Sequence, residues 1–216
     1  MSVLQKITAL EIQKKNQRRV SVFLDGKYAF GLQAAIAASL KTGQTLAPAE
    51  IEELCQRDAV EVAYERVLSY LSYRPRSCAE IERYLGRHQV PVDTSQAVLE
   101  RLSQAGFVDD EAFAKYWVEN REQFRPRGTR SLRFELRGKG LSDEAIDGAL
   151  EGVNEGESAY RAAQVRARRL KGLEYAVFCR RLGAFLQRRG FDYDVIKETL
   201  DHLWRESQGS TSEEAF

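Results

Sequence analysis

Two stretches of the chain place paired guanidinium groups around a proline. They are Tyr73-Arg74-Pro75-Arg76-Ser77 and Phe124-Arg125-Pro126-Arg127-Gly128, and they stand 51 positions apart. The proline needs no functional account: it stops one helix, and the Ser or Gly after it starts the next. Turn punctuation does not explain the two flanking arginines. The chemistry open to such a pair is attraction of an anion, either a phosphate or an acidic protein surface. Residues for bond-making chemistry are missing. There is no Walker A pattern, no GxSxG and no His/Cys set at metal-ligand spacing. His88 and His202 are isolated, and Asp109-Asp110-Glu111 precedes a helix, where acids suit the dipole. Cys55, Cys78 and Cys179 are odd in number and far apart, which reads as packed, reduced thiols. No enzyme activity, metal or cofactor is expected.

The basic residues are concentrated. Between Arg121 and Lys139 there are seven basic and two acidic residues, and between Arg161 and Arg189 nine and one, although the whole chain carries only +1. Arg130, Arg133 and Arg137 fall at i, i+3, i+7 on one helix, opposite Leu132 and Leu136, with Phe134 near the arginine stripe. This face is either a solvated surface or a binding surface, and an aromatic among arginines favours binding. The candidate partner-binding residues are Arg74, Arg76, Arg121, Arg125, Arg127, Arg130, Arg133, Phe134, Arg137, Lys139, Arg168, Arg169, Arg188 and Arg189.

The elements that must carry these residues follow from pattern. With 43% hydrophobic residues the chain is globular, and no apolar run approaches the roughly 20 residues of a membrane span. The first ten residues lack a signal-peptide core, so a soluble, cytoplasmic protein is expected. Strands are expected at Ile7–Ile12, Arg19–Leu24 and Lys27–Leu32, the last two joined by Asp25-Gly26 as a type I′ hairpin. Gln33–Leu40 is Ala-rich and reads as a short helix, Lys41–Gln44 as a turn. From Pro48 the pattern is helical, with N-caps at Ser77, Ser142 and Asp192 and left-handed glycines at Gly140 and Gly190.

The Arg-Pro-Arg is the visible edge of a longer repeat. Ile81/Leu85, Leu132/Leu136 and Leu182/Leu186 keep one register, and Ala63-Tyr64, Ala112-Phe113 and Ala159-Tyr160 open successive copies. The reading is three tandem three-helix units of about 50 residues, forming a mainly α, elongated and curved array with a small N-terminal β-hairpin extension. The expected boundaries are 1–47 (hairpin extension), 48–106 (linking helix and repeat one), 107–153 (repeat two), 154–206 (repeat three) and 207–216 (flexible acidic tail). The arginine stripe of repeat two is replaced by Ala79, Glu82 and Gly86 in repeat one and by Arg180, Gly183 and Gln187 in repeat three. Folding a unit therefore does not require it.

The chain from Ala63 to Trp204 resembles the RecX regulatory proteins, modulators of the RecA recombinase. The resemblance is carried by Arg76-Ser77 with Glu80 and Leu85, and by Gly106-Phe107-Val108-Asp109-Asp110 with Phe113-Ala114. It continues in Arg121 with Gly128 and Leu132, in Leu136-Arg137-Gly138-Lys139-Gly140-Leu141, and in Phe185-Leu186-Gln187-Arg188-Arg189-Gly190-Phe191 followed by Asp194-Val195-Ile196. It implies a non-enzymatic regulator bound in the groove of the RecA filament on single-stranded DNA, and a monomer is expected. It also implies dampening of ATP hydrolysis, strand exchange and the coprotease function behind the SOS response. The competing reading is a basic helical protein that binds DNA directly and competes for it. The N-terminal segment, about +4 over the first fifty residues, departs from the helical pattern; it either touches DNA or RecA or caps the array.

Overall fold

The computed structural model describes residues 4–213, in two compact units that divide between Val108 and Asp109. The first unit opens with β1 (Gln5–Gln13), β2 (Asn16–Leu24) and β3 (Lys27–Gln33), followed by α1 (Ala34–Ala37) and β4 (Thr45–Leu46). The sheet is antiparallel in the order β3-β2-β1-β4. At the β2–β3 turn Asp25 has φ 49° and Gly26 φ 79°, the two left-handed residues that a type I′ turn demands. Beyond the expected hairpin stands β4, whose two residues pair with Lys6 and Gln5 at the start of β1. A strand that short has no alternation to betray it.

The sheet is not an appendage to the helices. α2 (Pro48–Leu71) is one 24-residue helix with Pro48 in its first turn and the Glu50 carboxylate accepting from the Ala47 amide at 2.6 Å. Its first half puts Ile51 and Leu54 into the sheet core with Ile7, Val22 and Leu32. Its second half puts Ala63, Tyr64 and Val67 into a separate core with Ile81 and Leu85 of α3 (Cys78–Arg87) and Val98 and Leu102 of α4 (Val92–Gln104). Between the two cores lies Asp58, 8% exposed, which accepts from the Gln33 amide at 2.6 Å and from Arg19 at 2.8 Å. Arg19, a charge that could have served a partner, is held inside the unit. Cys55 is exposed on α2 and not packed as the sequence suggested, turned about 100° round the helix from the buried Leu54.

The second unit holds α5 (Asp110–Phe124), α6 (Thr129–Gly138), α7 (Asp143–Leu150), α8 (Glu155–Arg168), α9 (Tyr175–Arg188) and α10 (Tyr193–Glu213). The expected tail is thus helix as far as Glu213, and its last three residues lie outside the described residues. Asp109 caps α5 by accepting from the Glu111 and Ala112 amides, and Asp110 and Glu111 stand in the first turn, where the dipole favours acids as expected. Ser77 and Ser142 cap α3 and α7 as expected. Leu132, Leu136 and Ile146 centre the core of α5–α7; Phe178, Leu182 and Leu186 centre that of α8–α10.

Two glycines lock these three-helix repeats together. Gly190 has φ 82°, as a left-handed helix terminus requires, and a Cβ there would lie 2.5 Å from the Ser131 Cβ. A Cβ on Gly128 would fall 2.1 Å from the Gly190 carbonyl oxygen. The Gly128 amide donates to the Arg189 carbonyl at 3.1 Å. The backbone of one repeat thus lies directly on that of the next.

Candidate partner-binding surface

The Arg-Pro-Arg turns are mostly internal fasteners. In repeat one, Arg74 makes a two-pronged contact with Glu80 at 2.8 and 3.0 Å. Arg76 lies over the Tyr70 ring at 3.9 Å, and Tyr70 stacks face to face on Tyr84 at 4.1 Å. Fifty-one positions on, Tyr70, Arg76 and Tyr84 become Arg121, Arg127 and Glu135. The same three places are then joined by charge. The Glu135 carboxylate accepts from Arg121 Nε and Trp117 Nε1 at 2.8 Å each, and pairs with Arg127 at 2.9 Å. Glu80 becomes Ser131, so Arg125, the counterpart of Arg74, has lost its carboxylate and is exposed. Of the four arginines in the two motifs, Arg125 alone has no internal ion pair or ring contact among the described residues.

The stripe on α6 faces a groove. Arg130, Arg133, Phe134 and Arg137 form one wall; Cys179, Gly183, Gln187 and Arg188 of α9, with Phe191, Tyr193, Ile196 and Leu200, form the rest, around about 930 Å³. Gly183 leaves the floor open: a Cβ there would meet Leu200 at 3.5 Å and Ile196 at 3.8 Å. Two large aromatics stand in water at its edges, Phe134 at 80% exposure and Tyr193 at 78%. Arg133 is steadied by Asp147 at 2.6 Å and Arg137 by Asp143 at 2.9 Å, while Arg130 and Arg188 have no carboxylate partner among the described residues. Both aspartates are themselves more than half exposed, so these pairs are screened and their cations stay available.

Family profiles match four consecutive segments. They are the regulatory protein RecX N-terminal domain at residues 5–47 and the RecX first, second and third three-helix domains at 63–102, 109–150 and 154–200. The chain belongs to the RecX family of regulatory proteins. It is 32% identical over 215 residues to regulatory protein RecX of Bacillus subtilis, covering 97% of this chain and 81% of that one. With the RecX of Mycolicibacterium vanbaalenii it is 38% identical over 166 residues, covering 71% of this chain and 89% of the relative. A crystal structure of a regulatory protein RecX superposes with a TM-score of 0.73 at 28% identity, covering 91% of this chain and 99% of the other. The RecX from Lactobacillus salivarius, at 23% identity and TM-score 0.61, shares the fold. The sheet, which the sequence resemblance had not reached, is thus a RecX domain in its own right.

The remaining basic residues of this RecX chain lie outside the groove. Lys139 sits over Trp117 at 4.6 Å, opposite in kind to the exposed Arg168 and Arg169 at the end of α8. Arg189 and Arg166 both lie over Phe185, at 4.6 and 4.9 Å. Burial pushes the Arg189 pKa down, and the positive charges of Arg127, Arg125 and Arg166 push it further the same way. Tyr193, Phe185 and Arg166 were not foreseen from sequence. Tyr193 directly follows Asp192 at the start of α10, where an aromatic is unremarkable, and only the fold brings it into one groove with Phe134. Among the described residues no helix is long and apolar enough to cross a membrane.

Proposed function

We propose that this chain regulates RecA by binding the RecA filament on single-stranded DNA, inhibiting its recombinase, ATPase and coprotease activities, and so tempering recombination and the SOS response. It does so as a cytoplasmic monomer without catalysis of its own. The observation that supports this reading is the groove of the second unit, an apolar floor rimmed by arginines with Phe134 and Tyr193 held out in water. Exposed aromatics beside arginines are what protein interfaces use as anchors, and neither ring contributes to a core here.

The test is RecA ATPase activity on single-stranded DNA with the protein titrated in. Replacing Phe134 and Tyr193 together with Ala should leave the thermal transition in place and raise the concentration for half-inhibition by tenfold or more. Arg130→Ala/Arg133→Ala/Arg137→Ala should do the same at low salt, with a smaller deficit at high salt because the wild-type advantage is electrostatic. Inhibition equal to wild type by both variants would return the groove to ordinary solvated surface.

A further inference from the structure

On the side of α9 away from the groove, arginines from three parts of the second unit gather around one ring. Phe185 carries the guanidinium groups of Arg166 from α8 and Arg189 from the end of α9. Arg189 also donates to the Pro126 carbonyl at 3.0 Å, which sets it beside the turn bearing Arg125 and Arg127. Arg125 and Arg166 are exposed and have no carboxylate partner among the described residues, and the nearby Glu135 is already shared by Arg121, Arg127 and Trp117. Arg125, Arg166 and Arg189 are thus crowded with little local compensation beyond the ring face and the Pro126 carbonyl. Folding does not require this arrangement: repeat one places an acid, Glu80, where repeat two has Ser131.

We propose that Arg125, Arg166 and Arg189 form a phosphate site for the backbone of single-stranded nucleic acid, distinct from the groove on the other side of α9. The planar fork of arginine matches a phosphate in two-pronged fashion. A phosphodiester strand delivers successive negative charges, which suits several uncompensated cations better than one carboxylate does. Phe185 is covered by guanidinium groups, while Phe124, next to Arg125, stands exposed as a face on which a base can stack.

The experiment needs no RecA, so its failure leaves the filament reading standing, and the reverse. Fluorescence anisotropy of a labelled oligothymidylate is measured against wild type, Arg125→Ala/Arg166→Ala and a charge-matched groove control, Arg130→Ala/Arg188→Ala, over a range of salt. All four arginines are exposed and have no carboxylate partner among the described residues, so both variants should fold. The cluster variant should bind about tenfold more weakly and flatten the log–log salt slope by roughly 1.4, two lost contacts at about 0.7 each. The control should stay within about twofold of wild type. Equal losses in both variants would mean a diffuse positive field and would overturn the site, as would unchanged binding by the cluster variant. Labelled polyglutamate should bind wild type and cluster variant alike; its loss in parallel with the oligonucleotide would make this a carboxylate site. Inorganic phosphate should displace the strand no better than sulfate at equal ionic strength, and selective displacement would assign the site to free phosphate.

Discussion

Glu135 shows how far residue type misleads until the neighbours are known. One carboxylate, 15% exposed, satisfies Arg121, Arg127 and the Trp117 indole. Glu135→Ala would leave two cations and an indole N–H without their acceptor, and should cost about 2–4 kcal/mol. Urea denaturation followed by Trp fluorescence measures it. Arg130→Ala, by contrast, should stay within about 0.5 kcal/mol of wild type, because Arg130 is exposed and holds nothing internal. In sequence Arg121, Arg127 and Arg130 looked equivalent, one basic run. They differ because Glu135 lies two turns away on the far side of a Pro-bearing turn, and only the folded turn returns Arg127 to it. Phe134 could be read as exposed because Leu132 and Leu136, both fully buried, fix the helix face. Its partner Tyr193 could not, since their proximity depends on how α6 meets α10.

At the scale of elements the legible features were those with local causes. The Asp25-Gly26 turn, the Ser77 and Ser142 caps and the proline start of α2 each follow from a few neighbouring residues. The repeat register was legible on the second helices. On the first helices the buried pairs Ala63/Val67 and Ala114/Val118 stand 51 apart, like the Arg-Pro-Arg, so Phe113 fills its core from two positions earlier than Lys115, the counterpart of Tyr64. What pattern could not show is why Gly128 stands where repeat one has Ser77. The backbone of Gly190 occupies the space, so Gly128→Ala should destabilise the second unit by about 3 kcal/mol or more. Gly148, in the middle of α7 with open space around it, is the control: Gly148→Ala should stabilise by about 0.5–1 kcal/mol on helix propensity alone. Leu136→Ala in the same unit should cost about 2–5 kcal/mol, since its side chain is wholly buried. Thermal unfolding of the three variants side by side would order them, and a Gly128→Ala protein as stable as wild type would refute the close approach.

For the whole molecule, the net charge of +1 conceals a separation of roles that residue counting alone does not reveal. Some arginines bind the fold, as Arg19, Arg74 and Arg127 do, and others, such as Arg125 and Arg130, are exposed without an ion pair among the described residues. The three repeats were legible because each is a local helical unit; the bond between sheet and first repeat was not, because it runs through a single helix with two unlike faces. Asp58 is the point where that bond can be cut. Asp58→Ala removes the acceptor of the Gln33 amide and the carboxylate partner of Arg19, which keeps only the Gly31 carbonyl at 2.7 Å. The expected cost is about 2–3 kcal/mol, from a buried amide and a half-buried cation left short of a partner. The loss should be local. The core of Val67, Ile81, Leu85, Val98 and Leu102 contains no residue of the sheet, and Ile7, Val22 and Leu32 lie in another core. Hydrogen exchange should therefore quicken across residues 19–33 and the first turns of α2, while amides of α3 and α4 keep their protection. Asp58→Asn, which keeps an oxygen for the Gln33 amide, should show about half the effect. Equal loss of protection in the sheet and in α3 and α4 would mean that α2 couples the two cores into one cooperative block, and that the sheet is an integral part of the first repeat's stability.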